Sequence, residues 1–271
     1  MAALQNARFI ANPTLQEMSN GQGLIKKGSK GEHVRLIQEA LCDLGFNLQS
    51  YSTGGKLRGG ADGSFGPQTA AAIRNFQAHA SRFHLGISVD GVFGPKSLAA
   101  LDALAPDVGK AASDPLQACE RPTPHWEGQA VRVVVVISEH RTFLFDEAGT
   151  NEAVYPNATG KGKNRTDPGL KKVDALLGEA AARATGERLW GNAAVFGLRI
   201  VGLSWADGSH SGEELHGTSR PDQMGMYVSH GCVRHYNEHI VPLFDRLSVG
   251  DLVAVVQHID DPRLRLNTDV S

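Results

Sequence analysis

Ser229-His230-Gly231-Cys232-Val233-Arg234, taken together with Leu215-His216-Gly217-Thr218 upstream, decides how the rest of this chain is read. A thiol attacks only as the thiolate, and a nearby imidazole that takes its proton is the usual means of supplying it. Gly231 frees the chain to turn sharply beside Cys232, where backbone N–H groups could receive an oxyanion. Cys232 is therefore the candidate nucleophile. Two histidines, His216 and His230, compete for the part of its base. The carbonyl of Gly217 could orient the His216 imidazole, the role a carboxylate plays in other triads. Arg234 carries a planar fork suited to a carboxylate, against the alternative of a structural ion pair. Ser229 and His230 either take part directly or shape the loop. Tyr227, Met224 and Trp190 are pocket walls or core.

Working outward, residues 131–137 and 141–145 read as paired strands with 138–140 as their turn, and 152–158 as a third strand. Residues 170–185 read as a helical insert before Trp190-Gly191. Residues 196–203 follow as a strand, 235–247 as a short amphipathic helix, and 251–256 as a closing strand. Many short strands with few helices indicate an antiparallel sandwich or barrel-like sheet. Thr159-Gly160-Lys161-Gly162-Lys163 lacks the spacing of a phosphate loop, and no phosphate role is assigned to it. His210, His216, His230, Cys232, His235 and His239 are dense in metal-ligand types, but no Glu follows His235 in the metalloprotease manner. No metal and no cofactor are expected.

The N-terminal third repeats itself. Ala61-Asp62-Gly63-Ser64-Phe65-Gly66-Pro67 and Val89-Asp90-Gly91-Val92-Phe93-Gly94-Pro95 each place a turn, an apolar anchor and a helix-starting proline in the same order. A helix before them carries Val34, Ile37, Leu41 and Leu44 at helical spacing, capped by Ser29 or Gly31. Residues 51–60 read as a loop and residues 1–23 as an extended N-terminal arm. Four prolines within 105–128 mark a linker. The domains are therefore 1–23 arm, 24–104 helical, 105–128 linker and 129–271 catalytic.

At 271 residues the chain holds one large or two ordinary domains, and 41% hydrophobic with 21% charged residues is ordinary for a globular protein. A formal net charge of −2 argues against a general nucleic-acid or anionic-membrane binder, and no apolar run reaches the length of a membrane span. Three scattered cysteines make no disulfide framework. Cys42 is read as a packed helix side chain, and Cys119 is given no role. No basic start followed by an apolar stretch, the mark of a secretory signal peptide, is read in the first 23 residues.

The order His216-Gly217-Thr218, Gly225, Ser229 to Arg234 resembles the signature of L,D-transpeptidase catalytic domains of bacterial cell-wall enzymes, over about 131–257. Residues 24–104 resemble the small peptidoglycan-binding domain found beside many cell-wall hydrolases. Thr166-Asp167-Pro168-Gly169 departs from the family's Thr-Pro-x-Gly. The resemblance implies an α+β chain: a small three-helix peptidoglycan-binding-like domain, then a mainly antiparallel β-sandwich with a helical insert. It implies a cysteine acyltransferase with catalytic Cys232, His216 as base, Gly217, His230 and Gly231. Arg234, Ser229, Tyr227 and Trp190 are the expected substrate contacts.

The implied substrate is the peptidoglycan stem tetrapeptide on its glycan strands, with 3–3 cross-linking, D-amino-acid exchange or L,D-carboxypeptidase cleavage of terminal D-Ala as outcomes. The site of action is the cell wall or periplasm. Without a recognised leader, the chain resembles antibacterial effectors delivered by a contact-dependent secretion system, which adds a secretion component and a cognate immunity protein as expected partners. The alternatives are a housekeeping cross-linking enzyme whose leader is missing and a non-catalytic peptidoglycan-binding protein.

Overall fold

The computed structural model describes residues 3–46, 48, 50–53, 56–58, 60–84, 86–106 and 121–265, with the side chains of 51–53 and 56–58 left aside. Cys119 and most of the expected linker lie outside the described residues. The chain divides into two compact units, Met1–Glu120 and Arg121–Ser271.

Unit 1 holds helices α1 (Ala7–Ile10), α2 (Pro13–Ser19), α3 (Glu32–Asp43), α4 (Pro67–Ala80) and α5 (Pro95–Leu104). Val34, Ile37, Leu41 and Leu44 are buried as their spacing predicts, and join Phe65, Phe76, Phe93 and Leu98 in one core. Two expectations give way here. The extended arm is helical: Asn6 and Asn12 accept from Arg8 and Leu15 amides at the starts of α1 and α2. Phe9, Leu15 and Met18 then enter the same core, and the Asp102 carboxylate accepts from the Gln5 and Asn6 amides at 2.9 Å each. Residues 51–60 are not all loop either, since β1 (Tyr51–Thr53) and β2 (Lys56–Arg58) pair antiparallel.

The repeat has a physical basis. Gln38 on α3 accepts from the Gly63 amide at 2.8 Å and donates to Asp62, the Ser64 carbonyl and Thr69. Gln77 on α4 does the same for the second turn, accepting from the Gly91 amide at 2.8 Å and donating to Asp90, the Val92 carbonyl and Ser97. Gly63 and Gly91 sit at φ +71° and +76°, the left-handed region that favours glycine. Each Asp-Gly turn is thus held by a buried amide from the preceding helix.

Unit 2 begins with a small hairpin of β3 (His125–Trp126) and β4 (Gln129–Ala130). Its main strands are β5 (Val133–Val136), β6 (Arg141–Phe145), β7 (Asn151–Gly160), β8 (Gly169–Leu177), β9 (Ile200–Trp205), β10 (His210–His216), β11 (Tyr227–Ser229), β12 (Val233–His235) and β13 (Leu252–Val256). Two helices accompany them, α6 (Glu179–Trp190) and α7 (Asn237–Asp245). The sheet runs β11-β7-β12-β10-β9-β8-β13-β5-β6, and β6 pairs back onto β7. What the sequence suggested as a sandwich is therefore one closed sheet. The α+β class stands. β10 with β12, β11 with β7 and β13 with β5 are parallel; the other pairings are antiparallel.

The helical insert starts later than expected. Residues 170–177 form most of β8, and the helix is α6. The burial of β8 alternates through Gly169, Lys171 and Val173, so a lysine occupies an inward position of the strand. That charge hid the period-2 pattern from a reading by hydrophobicity.

Candidate active site

β10 ends at His216 and β12 begins one residue after Cys232, and their parallel register sets Leu215 beside Val233 and His216 beside Arg234. Leu215 and Val233 both lie in the apolar core with Val173, Leu203 and Ile240. Side chains alternate along a strand, so Glu214, His216, Cys232 and Arg234 share the opposite face. The sheet itself gathers the predicted base, nucleophile and cation.

His216 is buried, and its Nδ1 lies 2.6 Å from the Gly217 carbonyl oxygen. A carbonyl only accepts, so Nδ1 carries the proton and Nε2 keeps its lone pair. Phe196 stands edge-on to the ring at 4.9 Å. Gly217 is required where it is: a Cβ there would stand 2.3 Å from Asn237 Oδ1. Asn237 accepts from the Thr218 amide at 3.2 Å and donates to its carbonyl at 3.1 Å, locking the turn after His216.

Burial pushes the Cys232 thiol up to about 11, with the Glu214 charge adding to it, while the Glu214 amide, Arg234 and its own amide oppose. Burial likewise pulls His216 down to about 3, assisted by Arg234 and opposed by the Gly217 hydrogen bond. The resting pair is thus a neutral thiol and a neutral imidazole.

The loop between β11 and β12 is held at both ends. Ser229 Oγ donates to the Cys232 carbonyl at 2.5 Å and so ties the loop. Gly231 adopts φ +116°. Arg234 is half-buried; Nη1 donates to Gln223 at 3.1 Å while buried Nε has no partner. His230 is exposed and its ring lies 5.7 Å from that of Trp190, the last residue of α6. Tyr227 is also exposed, with its ring edge-on to His140 at 4.4 Å. Met224 is fully buried, so it is core rather than wall. Of the remaining metal-type residues, His235 bonds Thr142 at 2.9 Å and His239 stacks on Tyr155 at 4.9 Å. Among the described residues no group of three or more His, Cys, Asp or Glu is arranged to hold a metal ion.

Several supporting residues escaped the sequence. Thr166 Oγ1 accepts from the Gly160 amide at 2.9 Å and donates to the Gly231 carbonyl at 2.6 Å. A Cβ at Gly160 would stand 2.2 Å from the Asn164 carbonyl oxygen, so its glycine admits the crossing 164–166 backbone. The departed Thr-Asp-Pro-Gly was the one available signal for Thr166. Asn237, Gln223 and Glu213 carried none.

Residues 130–255 match the family model of the L,D-transpeptidase catalytic domain. Unit 2 carries an L,D-transpeptidase catalytic domain. It is preceded, at residues 30–101, by a match to a peptidoglycan binding domain. YqjB of Bacillus subtilis (strain 168), an L,D-transpeptidase by name, is 32% identical over 114 residues, which are 41% of this chain and 62% of that protein. YbiS of Escherichia coli (strain K12), also an L,D-transpeptidase by name, is 48% identical over 48 residues, 18% of this chain and 15% of that protein. A solved L,D-transpeptidase structure from Xylanimonas cellulosilytica DSM 15894 shares the fold, with TM-score 0.50 and 22% identity over 87% of this chain and 98% of that one.

Beyond the transpeptidase domain, unit 1 opens a groove of about 550 Å³ beside its second Asp-Gly turn, lined among others by Leu24, Gln77, Asp90, Lys96 and Ser97. Among the described residues no helix is long and apolar enough to cross a membrane.

Proposed function

We propose that the chain is a cysteine L,D-transpeptidase acting on peptidoglycan stem peptides at the cell wall or in the periplasm. One observation carries the reading. His216, its Nδ1 proton held on the Gly217 carbonyl, presents an unprotonated Nε2 on the sheet face it shares with Cys232.

Cys232 Sγ attacks the carbonyl carbon between the L-centre of the third residue and the terminal D-alanine. Because burial holds the thiol near 11, the proton leaves for His216 Nε2 as the S–C bond forms, and no thiolate is stored beforehand. Backbone N–H groups of the Gly231–Cys232 turn receive the oxyanion. His216 then protonates the alanine nitrogen, the C–N bond breaks, and a thioester and free D-alanine remain. An acceptor amine attacks the thioester, giving up its proton through His216 to Sγ as the C–S bond breaks. Water in place of the amine gives L,D-carboxypeptidase cleavage. Arg234, with its unpartnered Nε, suits a carboxylate of the stem peptide. Exposed Trp190, His230 and Tyr227 form the rim it passes. The helical unit holds the wall, and its groove beside Asp90 is the candidate contact.

Mass spectrometry of purified tetrapeptide incubated with the protein, with and without D-methionine, tests this reading. Loss of D-alanine, its replacement by D-methionine or a cross-linked dimer is the expected result, and Cys232→Ala should lower it by ~10⁴-fold or more while leaving the fold intact. An unchanged tetrapeptide, from folded protein with a free Cys232 thiol, would replace the enzyme by a binding protein.

A further inference from the structure

Behind the nucleophile loop lies an ion pair that none of these steps uses. Lys171 Nζ on β8 bonds Glu213 Oε2 on β10, with both side chains buried. Lys171 pairs in register with Trp205, whose ring its ammonium faces at 4.1 Å, and Glu213 pairs with Leu203. Alternation puts Lys171 on the face of Val173 and Glu213 on that of Leu215. The pair therefore sits at the edge of the apolar core, on the side of the sheet opposite Cys232. Burial pulls Lys171 down to about 8, opposed by the Asp167 charge. Two charges in such a place are a poorer source of stability than an apolar pair of the same volume.

Their other contacts lead to the nucleophile. The second Glu213 oxygen, Oε1, accepts from the Asp167 amide at 2.7 Å. The adjoining Thr166 donates to the Gly231 carbonyl at 2.6 Å. A Cβ built on Gly231 would stand 3.7 Å from Glu213 Cγ, so the glutamate side chain flanks this residue.

We infer that Lys171 and Glu213 are positioning residues for the nucleophile: the pair pins the Thr166–Asp167 backbone, and Thr166 with the Glu213 side chain fixes the Gly231 peptide that aims Cys232. The inference rests on the reading of Cys232 as nucleophile. Misplacing a reacting group by about 1 Å lowers turnover by ~100-fold, which sets the size of effect to look for.

The test uses the full chain with Cys42→Ala and Cys119→Ser, so that Cys232 is the single thiol. Two double variants separate aiming from folding. Lys171→Met with Glu213→Gln removes both charges but keeps an oxygen for the Asp167 amide; Lys171→Met with Glu213→Leu removes that oxygen as well. Thermal unfolding, kcat and KM for exchange of D-alanine by D-methionine, and the rate of Cys232 alkylation by iodoacetamide are read for each. The glutamine variant should restore kcat to within ~3-fold of the parent. The leucine variant should melt as the parent does, yet lose kcat by ~30- to 100-fold with KM within ~3-fold, and change its alkylation rate. Parental kcat and alkylation in a folded leucine variant would reduce the pair to a structural one. Should that variant fail to fold, Thr166→Val, which removes the bond to the Gly231 carbonyl together with the acceptor of the Gly160 amide, must show the same loss of kcat; parental kcat there overturns the inference. If the parent turns over no tetrapeptide, the proposed function fails by itself, while the alkylation rates still decide whether the brace sets the thiol.

Discussion

In the helical unit, the Asp-Gly turns are held by two neutral amides, Gln38 and Gln77, each serving a turn of the next repeat. In the transpeptidase domain the buried polar groups include the charged Lys171 and Glu213 and the histidines His140, His216 and His235. A neutral amide satisfies turn amides at any pH and does no chemistry. A buried imidazole is costly to protonate, so it rests neutral with a free lone pair and takes a proton only where a developing charge offsets the burial. The contrast is between repeat turns held by neutral amides and a domain in which burial sets the protonation of several histidines.

The sharpest way to break the contrast is to move an amide across it. His216→Gln keeps a donor for the Gly217 carbonyl but removes the basic nitrogen. Turnover of tetrapeptide should fall by ~10³-fold with little change in melting temperature. Comparable turnover would mean that Cys232 has another base and that the sheet-face argument is wrong.

Acid provides a second discriminator. Burial holds His140, His216 and His235 down at about 3, against an ordinary 6.5. Below pH 6.5 the unfolded chain takes up protons that the folded domain does not. This contribution is therefore present above pH 6.5 and is lost as pH falls towards 3. Each histidine should cost ~1.4 kcal/mol per pH unit across that window. All three tryptophans, Trp126, Trp190 and Trp205, lie in unit 2, so urea titrations followed by tryptophan fluorescence at pH 7 and pH 4.5 report on this domain. A midpoint that does not move would show these imidazoles to be protonated in the folded state.

The smallest expected effect lies in the helical unit. Gln38→Leu leaves the Gly63 amide without its acceptor, which should lower the stability of that unit by about 1–3 kcal/mol, read by circular dichroism at 222 nm. Turnover of soluble tetrapeptide should stay within ~2-fold. A large loss of turnover would couple the two units in a way the contrast does not allow.

How much of this was legible in the chain varies with the residue. Val34, Ile37 and Leu41, the proline-opened helices and the strands around Val133 to Phe145 followed from periodicity and turn chemistry, because burial of an apolar stripe is a local demand. The two N-terminal helices escaped because α1 is four residues long and α2 seven, too short for a stripe to declare itself. Their caps Asn6 and Asn12 were the signal. β8 was misread for a different reason: its inward Lys171 is admissible only because Glu213, forty-two positions later, meets it.

The sequence by itself determined the repeat and the α+β division, and it proposed Cys232 as nucleophile with His216 and His230 as rival bases, since residue types along one short stretch carry that much information. Tertiary structure alone decided that the sheet closes through β6 and β7 and that the Ser229 hydroxyl bonds the Cys232 carbonyl. It alone decided that thiol and imidazole rest neutral, and that Thr166, Asn237 and the Lys171–Glu213 pair stand behind them. Those outcomes depend on long-range pairing and on the dielectric of a finished interior, neither of which is written in neighbouring residues.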